Sequence, residues 1–131
     1  MTYLLDTHVW LWLQTARSRI RPDLLEELRD GGTSVRLSAV SSWEIAIKWA
    51  IGKLPLPEPP DRYVPSRMGR AGVEGLAIEH VHALRVAELP RHHPDPFDRL
   101  LVAQAQIEGF AIVTADPAFG PYDVSVVHAT G

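Results

Sequence analysis

The sequence contains no cysteine, which excludes a disulfide framework and any thiolate metal site. No apolar run approaches the roughly 20 residues that a bilayer-spanning helix needs, so no membrane-crossing segment is expected. Positive charge is not in excess: 13 Lys and Arg stand against 16 Asp and Glu, for a net charge of −3 at pH 7. That balance gives no whole-protein attraction to nucleic acid and counts against a simple nucleic-acid-binding module. Internal repeats and low-complexity linkers are also missing, and 131 residues are one domain's worth of chain, so a single domain over 1–131 is expected. No basic segment or cleavage site precedes the first strand pattern, which argues against export and for a cytoplasmic protein.

What the chain does carry is a set of carboxylates at the ends of apolar runs or the starts of helix patterns. They are Asp6, Glu44, Asp98 and Asp116, in the segments YLLDTHVW, SSWEIAIK, DPFDRLLVAQA and IVTADPAF. The surrounding pattern alternates strand and helix. Strands are predicted at 2–6, 34–38, 75–80, 110–114 and 123–128. Helices are predicted at 8–15, 22–30, 41–51, from Pro60 or Asp61 to about Arg70, at 80–89 and at 96–108, with Gly52 and Gly109 as stops. The proline-rich 55–60 stretch reads as a loop rather than a domain boundary. Such alternation predicts an α/β fold, a parallel sheet with helices on both faces.

Each acid has an ordinary structural reading. Ser41-x-x-Glu44 fits a capping box. Asp95-Pro96-Phe97-Asp98 fits an N-cap, a proline at the first helical position and an acid favoured by the helix dipole. Asp116-Pro117 fits a turn. Asp6 could cap the helix after it, with Thr7 as the competing cap. Yet Asp6 and Asp116 both end strands of a parallel sheet, so they share its carboxyl edge, where open α/β folds keep their sites. Glu44 lies one turn past a strand and starts from the same edge, while Asp98 needs the 91–95 loop to bring it there. Carboxylates crowded into one crevice repel each other, and a divalent cation relieves that repulsion. An all-oxygen set suits Mg²⁺ or Mn²⁺ rather than zinc, and such a site can activate water against a phosphate.

These residues also carry a family resemblance. LLDTHVWLW at 4–12, LSAVSSWEIAIKWAIGKL at 37–54, LPRHHPDPFDRLLVAQA at 89–105 and IVTAD at 112–116 resemble the PIN-domain ribonucleases, and among them the VapC-type toxins of bacterial toxin–antitoxin pairs. The resemblance implies a PIN-like α/β/α sandwich around a central parallel sheet and a Mg²⁺- or Mn²⁺-dependent endoribonuclease. In it Asp6, Asp98 and Asp116 would hold one or two metal ions, and Glu44 would bind metal directly or through water. Asp95 would act behind the ligands or as an N-cap, and Thr114 would support the site. It further implies an RNA substrate (tRNA, rRNA or mRNA) cut to leave a 5′-phosphate, a cognate antitoxin, a homodimer and a toxin–antitoxin hetero-oligomer. With a net charge of −3, RNA would have to be steered by local basic groups, of which Arg91, His92, His93, Arg99 and Lys48 are nearest the motifs. A catalytically silent module that keeps the fold is the alternative. A receiver-type phosphoacceptor is disfavoured, since there is no second acid near Asp6 and no lysine after Lys53.

Trp10, Trp12, Trp43 and Trp49 are spaced for helices and read as core. The sharper reading places some of them along a groove between the first and third helices, where the resemblance would dock an antitoxin peptide. His8, His80, His82 and His128 show no metal-ligand spacing and read as surface or satisfied core residues, with 80 and 82 on one face of a strand. His92-His93 stands out only by adjoining Asp95.

Overall fold

A computed structural model describes residues 1–131. The chain runs β1 (Thr2–Leu5), α1 (Thr7–Thr15), α2 (Pro22–Arg29), β2 (Ser34–Ser38), α3 (Ala39–Ala50), α4 (Pro60–Ala71), β3 (Glu74–Leu76), α5 (His80–Arg85), α6 (Pro96–Glu108), β4 (Ala111–Thr114) and β5 (Val126–His128). All strand pairs are parallel, in the order β3-β2-β1-β4-β5. The chain winds outward from β1 through β2 to β3, then returns to the other side of β1 for β4. Strand order therefore reverses between β1 and β4, and a crevice opens above their carboxyl ends.

Alternate residues of the strands face opposite sides, and each side has its own core. Tyr3, Leu5, Val35, Leu37 and Val113 pack on Trp10 and Leu13 of α1, Leu24 and Leu28 of α2, and Tyr63 and Val64 of α4. Leu4 and Ile112 point the other way, onto Leu101, Val102 and Ala105 of α6 and onto Phe119. The result is an α/β/α sandwich. Leu4 and Leu5 are fully buried, so truncating either to alanine would cost about 2–5 kcal/mol and loosen the strand that carries Asp6. No helix is long and apolar enough to cross a membrane.

Several expectations are corrected here. Helix α3 starts at Ala39, not 41, because Ser38 ends β2 and accepts a hydrogen bond from Val40 N at 3.0 Å as its N-cap. Ser41 and Glu44 thus form no capping box and lie inside the helix, both buried. Strand β3 stops at Leu76, and His80 and His82 belong to α5 rather than to one face of a strand. His82 is a satisfied core histidine: Nδ1 accepts from Glu79 N at 2.9 Å and Nε2 lies 3.3 Å from Glu108. Of the tryptophans only Trp10 is fully buried. Trp43 and Trp49, 55% and 40% exposed, stand on the outer side of α3.

Helix α6 is well specified at both ends. Asp95 caps it through Phe97 N (2.8 Å) and Asp98 N (3.3 Å), with Pro96 at the first position. Gly109, at φ 73°, supplies the left-handed residue that ends it and turns the chain into β4. Its positive end therefore faces the carboxyl edge of the sheet, with Asp98 in the first turn.

Candidate functional site

Asp6 is held from three sides. Its backbone N–H donates to Val113 O at 2.9 Å, Oδ1 caps α1 by accepting from Val9 N at 2.7 Å, and Oδ2 accepts the hydroxyl of Thr114. Register explains the last contact: Leu5 stands opposite Val113, so the next residues, Asp6 and Thr114, are level. Thr114 Oγ1 also accepts from Asp116 N at 2.9 Å. One threonine thus ties the acid after β1 to the acid after β4.

Because Asp6 takes the cap, Thr7 is free for another task. Its hydroxyl donates to Glu44 Oε1 at 2.7 Å and lies 2.9 Å from the Ser41 hydroxyl, all three side chains being buried. The other Glu44 oxygen pairs with Lys48 at 2.6 Å, one turn along α3. On the far side of the crevice, His93 reaches in from the 91–95 loop. Its Nε2 lies 2.9 Å from Asp98 Oδ2 and 3.2 Å from Asp116 Oδ2. Asp116 Oδ1 caps the short 3₁₀ turn at Pro117–Phe119 through Ala118 N, at 2.9 Å. Ligand atoms of His93, Asp98 and Asp116 fall within 4.8 Å of one another.

The electrostatics of this arrangement are strained. Burial pushes the Asp98 carboxyl up to about 7, with the charges of Asp95, Glu44 and Asp6 adding and His93 opposing. Burial also raises Asp6, the hydrogen bonds from Thr114 and Val9 working against it and the Asp116 charge with it. Negative charge is therefore in excess inside the cluster, the condition that a divalent cation relieves. Apart from the His93 nitrogen the donors are carboxylate oxygens, without thiols, which fits a hard cation of the Mg²⁺ or Mn²⁺ kind.

Of the four acids read from the sequence, Asp98 and Asp116 fall in the tight group with His93, and Asp6 and Glu44 stand beside it. Asp98 and Asp116 share His93, Asp6 joins through Thr114, and Glu44 joins through Thr7 and its field on Asp98. Asp95 lies just behind, as the cap of α6. Three contributors escaped the sequence reading. Thr7 was weighed only as a cap, Lys48 only as a basic group near the motifs, and His93 only as such a basic group and as a neighbour of Asp95. Arg99 is not free to steer a ligand by itself. Its guanidinium donates to the carbonyls of Pro90 and Val86, at 2.8 and 3.1 Å, and pins the loop that carries His93. Beside the acids a cavity of about 390 Å³ is lined by Arg91, His93, Pro94 and Arg99. A separate cavity of about 260 Å³ among Leu13, Arg17, Leu28 and Arg70 holds none of the acids.

The model of the PIN domain family matches residues 3–124. The chain belongs to the PIN domain family. A curated relative, Ribonuclease VapC16 of Mycobacterium tuberculosis, is 47% identical over 68 residues, which are 49% of this chain and 48% of that protein. The chain thus spans about half the length of the curated relative it matches. Solved structures extend the likeness of this PIN domain to nearly its whole length. VapBC2 from Rickettsia felis, bound to a DNA fragment from its promoter, aligns over 98% of both chains with a TM-score of 0.75 and 16% identity. DNA-bound VapBC from Salmonella typhimurium aligns over 98% of both with a TM-score of 0.66 and 18% identity. FitAcB from Neisseria gonorrhoeae aligns over 95% of both with a TM-score of 0.61 and 22% identity. At such identities the structures speak for the fold, which is the PIN sandwich expected from the sequence.

Proposed function

We propose that this PIN domain, acting as one unit over 1–131, is a metal-dependent endoribonuclease toxin that hydrolyses RNA phosphodiester bonds and is neutralised by a cognate antitoxin. The observation that carries the reading is the grouping of Asp98 and Asp116 with His93 at the β1–β4 switch point, with Asp6 tied to Asp116 through Thr114 and Glu44 alongside, in a chain of this family. The partial match to a protein named a ribonuclease supports the choice of RNA.

In this reading Asp6, Asp98 and Asp116 hold Mg²⁺ or Mn²⁺, with Glu44 as a further ligand directly or through water. Bound there, the cation supplies an activated water and neutralises charge on the scissile phosphate. The chain's own residues do the rest. Thr114 fixes Asp6, and Thr7 and Lys48 fix Glu44. Arg91, at the rim of the 390 Å³ cavity, offers an RNA backbone a cation that no acid in the chain engages.

Partners follow from the assemblies in which similar folds occur and from one surface. A structure of similar fold from Klebsiella pneumoniae is a toxin–antitoxin complex, and α3 with its C-cap exposes Trp43, Ile47 and Ile51 at successive turns. Such a stripe suits an apolar helical partner, from an antitoxin or a second copy. A homodimer and a toxin–antitoxin hetero-oligomer in the cytoplasm complete the proposal.

The test is cleavage of total cellular RNA by antitoxin-free protein, mapped by 5′-end sequencing in Mg²⁺, in Mn²⁺ and in chelator, beside Asp98→Asn. Discrete cuts that need metal and vanish in the variant are expected. A folded protein that cuts nothing in either metal sinks the proposal in favour of a silent binding module.

A further inference from the structure

His93 lies among the acids without having been singled out as one of the site residues. Its surroundings decide what it does there. The loop that bears it is anchored at the residue itself, because His93 N donates to the Tyr122 hydroxyl at 2.9 Å. Phe119 meets the ring edge-to-face, with centroids 5.7 Å apart and planes at 76°. Most informative is Nδ1, which accepts the backbone N–H of Asp95 at 3.2 Å.

A nitrogen that accepts a hydrogen bond carries no hydrogen, so in neutral His93 the ring proton sits on Nε2. Nε2 is the atom between Asp98 Oδ2 and Asp116 Oδ2, at 2.9 and 3.2 Å. It faces them as an N–H donor, with no lone pair to offer. Turning the ring over would not make it a ligand without loss, since a carbon would then face the Asp95 N–H. The same Asp95 that caps α6 thus also selects the tautomer of the histidine beside it.

We infer that His93 is a positioning residue: its Nε2–H spans the Asp98 and Asp116 carboxylates and sets their separation for a cation, without ligating the cation itself. The inference rests on the metal-site reading above. It separates His93 from the three-residue group His93, Asp98 and Asp116, whose spacing alone would make all three ligands. It also gives the HHPDP segment a physical reason. Pro94 and the Asp95 backbone place a ring nitrogen at a fixed point, and Arg99 holds the loop from beneath.

The experiment is Mn²⁺ binding by the intact chain, followed by electron paramagnetic resonance, with pulsed measurement of nitrogen coupling to the bound ion. His93→Ala and His93→Gln are compared, and circular dichroism checks their folding. The unsubstituted protein is expected to bind Mn²⁺ with no directly coordinated nitrogen. His93→Ala is expected to bind about 10–100-fold more weakly, the usual effect of losing a group that orients a ligand. His93→Gln, which keeps an N–H donor at similar reach, is expected to recover most of that loss. A directly bound nitrogen in the unsubstituted protein overturns the inference, as does full affinity in folded His93→Ala. Should His93→Ala fail to fold, affinity in His93→Gln that falls as low as about a hundredth overturns it. No Mn²⁺ binding by the unsubstituted protein overturns the metal-site reading, and this inference with it. Binding that is unaltered by substitution overturns this inference alone.

Discussion

Thr114 stands level with Asp6 across the β1–β4 pair, donates its hydroxyl to that carboxylate, and with the same oxygen accepts the N–H of Asp116. A buried hydroxyl in this position does two jobs that no apolar isostere can share. Thr114→Val keeps the volume and strand preference but strands both partners. Stability should fall by about 1–3 kcal/mol, the cost of leaving buried polar groups unpaired, as read by urea unfolding. Metal-dependent RNA cleavage should fall by about 10–100-fold. Unfolding that leaves the midpoint unchanged would show that water replaces the threonine at no cost.

Asp98→Asn should separate stability from activity. The carboxylate is forced upward by burial and by three neighbouring acids, so replacing it with a neutral isostere removes repulsion. The metal-free variant should melt higher than the unsubstituted protein at pH 8. On the proposed function, cleavage should drop by more than about a hundredfold, because losing a ligand would outweigh losing a ligand's support. A lower melting temperature would refute the electrostatic account.

The pH dependence has a definite sign. Asp98 titrates at about 7 in the fold against an ordinary 3.8. Between those values the folded protein keeps a proton that the unfolded chain has released. Its contribution is complete below about pH 4 and is lost as pH rises through 7. Asp6, raised in the same direction, adds to the trend. Thermal melts of metal-free protein from pH 5 to 8 should therefore fall more steeply for the unsubstituted protein than for Asp98→Asn. Parallel slopes would contradict the assignment.

Added Mg²⁺ or Mn²⁺ should reverse that loss. Binding to the folded state alone stabilises by about 2.7 kcal/mol at a hundred times the Kd, and the gain should be larger at pH 8 than at pH 5, where the acids hold protons. Asp98→Asn should gain little. Equal gains in both proteins would place the ion elsewhere.

Lys48→Met tests the partner of Glu44. The lysine is partly exposed and its carboxylate partner is buried, so losing it leaves a buried charge whose other support is Thr7. A loss of about 1–2 kcal/mol is expected in urea unfolding, less than for a fully buried pair because solvent reaches one side. A double-mutant cycle with Glu44→Gln should recover the coupling.

Much of this was legible in the letters. Asp6 and Asp116 follow apolar strands, and a parallel sheet brings such residues to one edge whatever the loops do. The DPFD segment announces its cap and its proline, and α6 begins at Pro96 as read. What failed was local and involved competition between equivalent signals. Ser41 was read as the N-cap, and the cap fell to Ser38 because β2 runs straight into the helix. Trp43 and Trp49 are as apolar as Trp10, and helical spacing alone does not say which side of α3 meets the sheet. His93 was hidden for another reason. Its role depends on a hydrogen bond from the backbone of a residue two places on and on the Tyr122 hydroxyl far along the chain, and neither leaves a mark in the sequence pattern.

The bond between Thr114 and Asp6 joins residues 108 positions apart. During synthesis, β1 emerges well before its neighbour β4. Until then Asp6 has no clamp, Asp116 does not exist, and His93 has one carboxylate instead of two to grip. A chain that stops short of β4 cannot bring these groups together. The cluster therefore assembles only once β4 has joined β1, after helices α1 to α6 have all emerged.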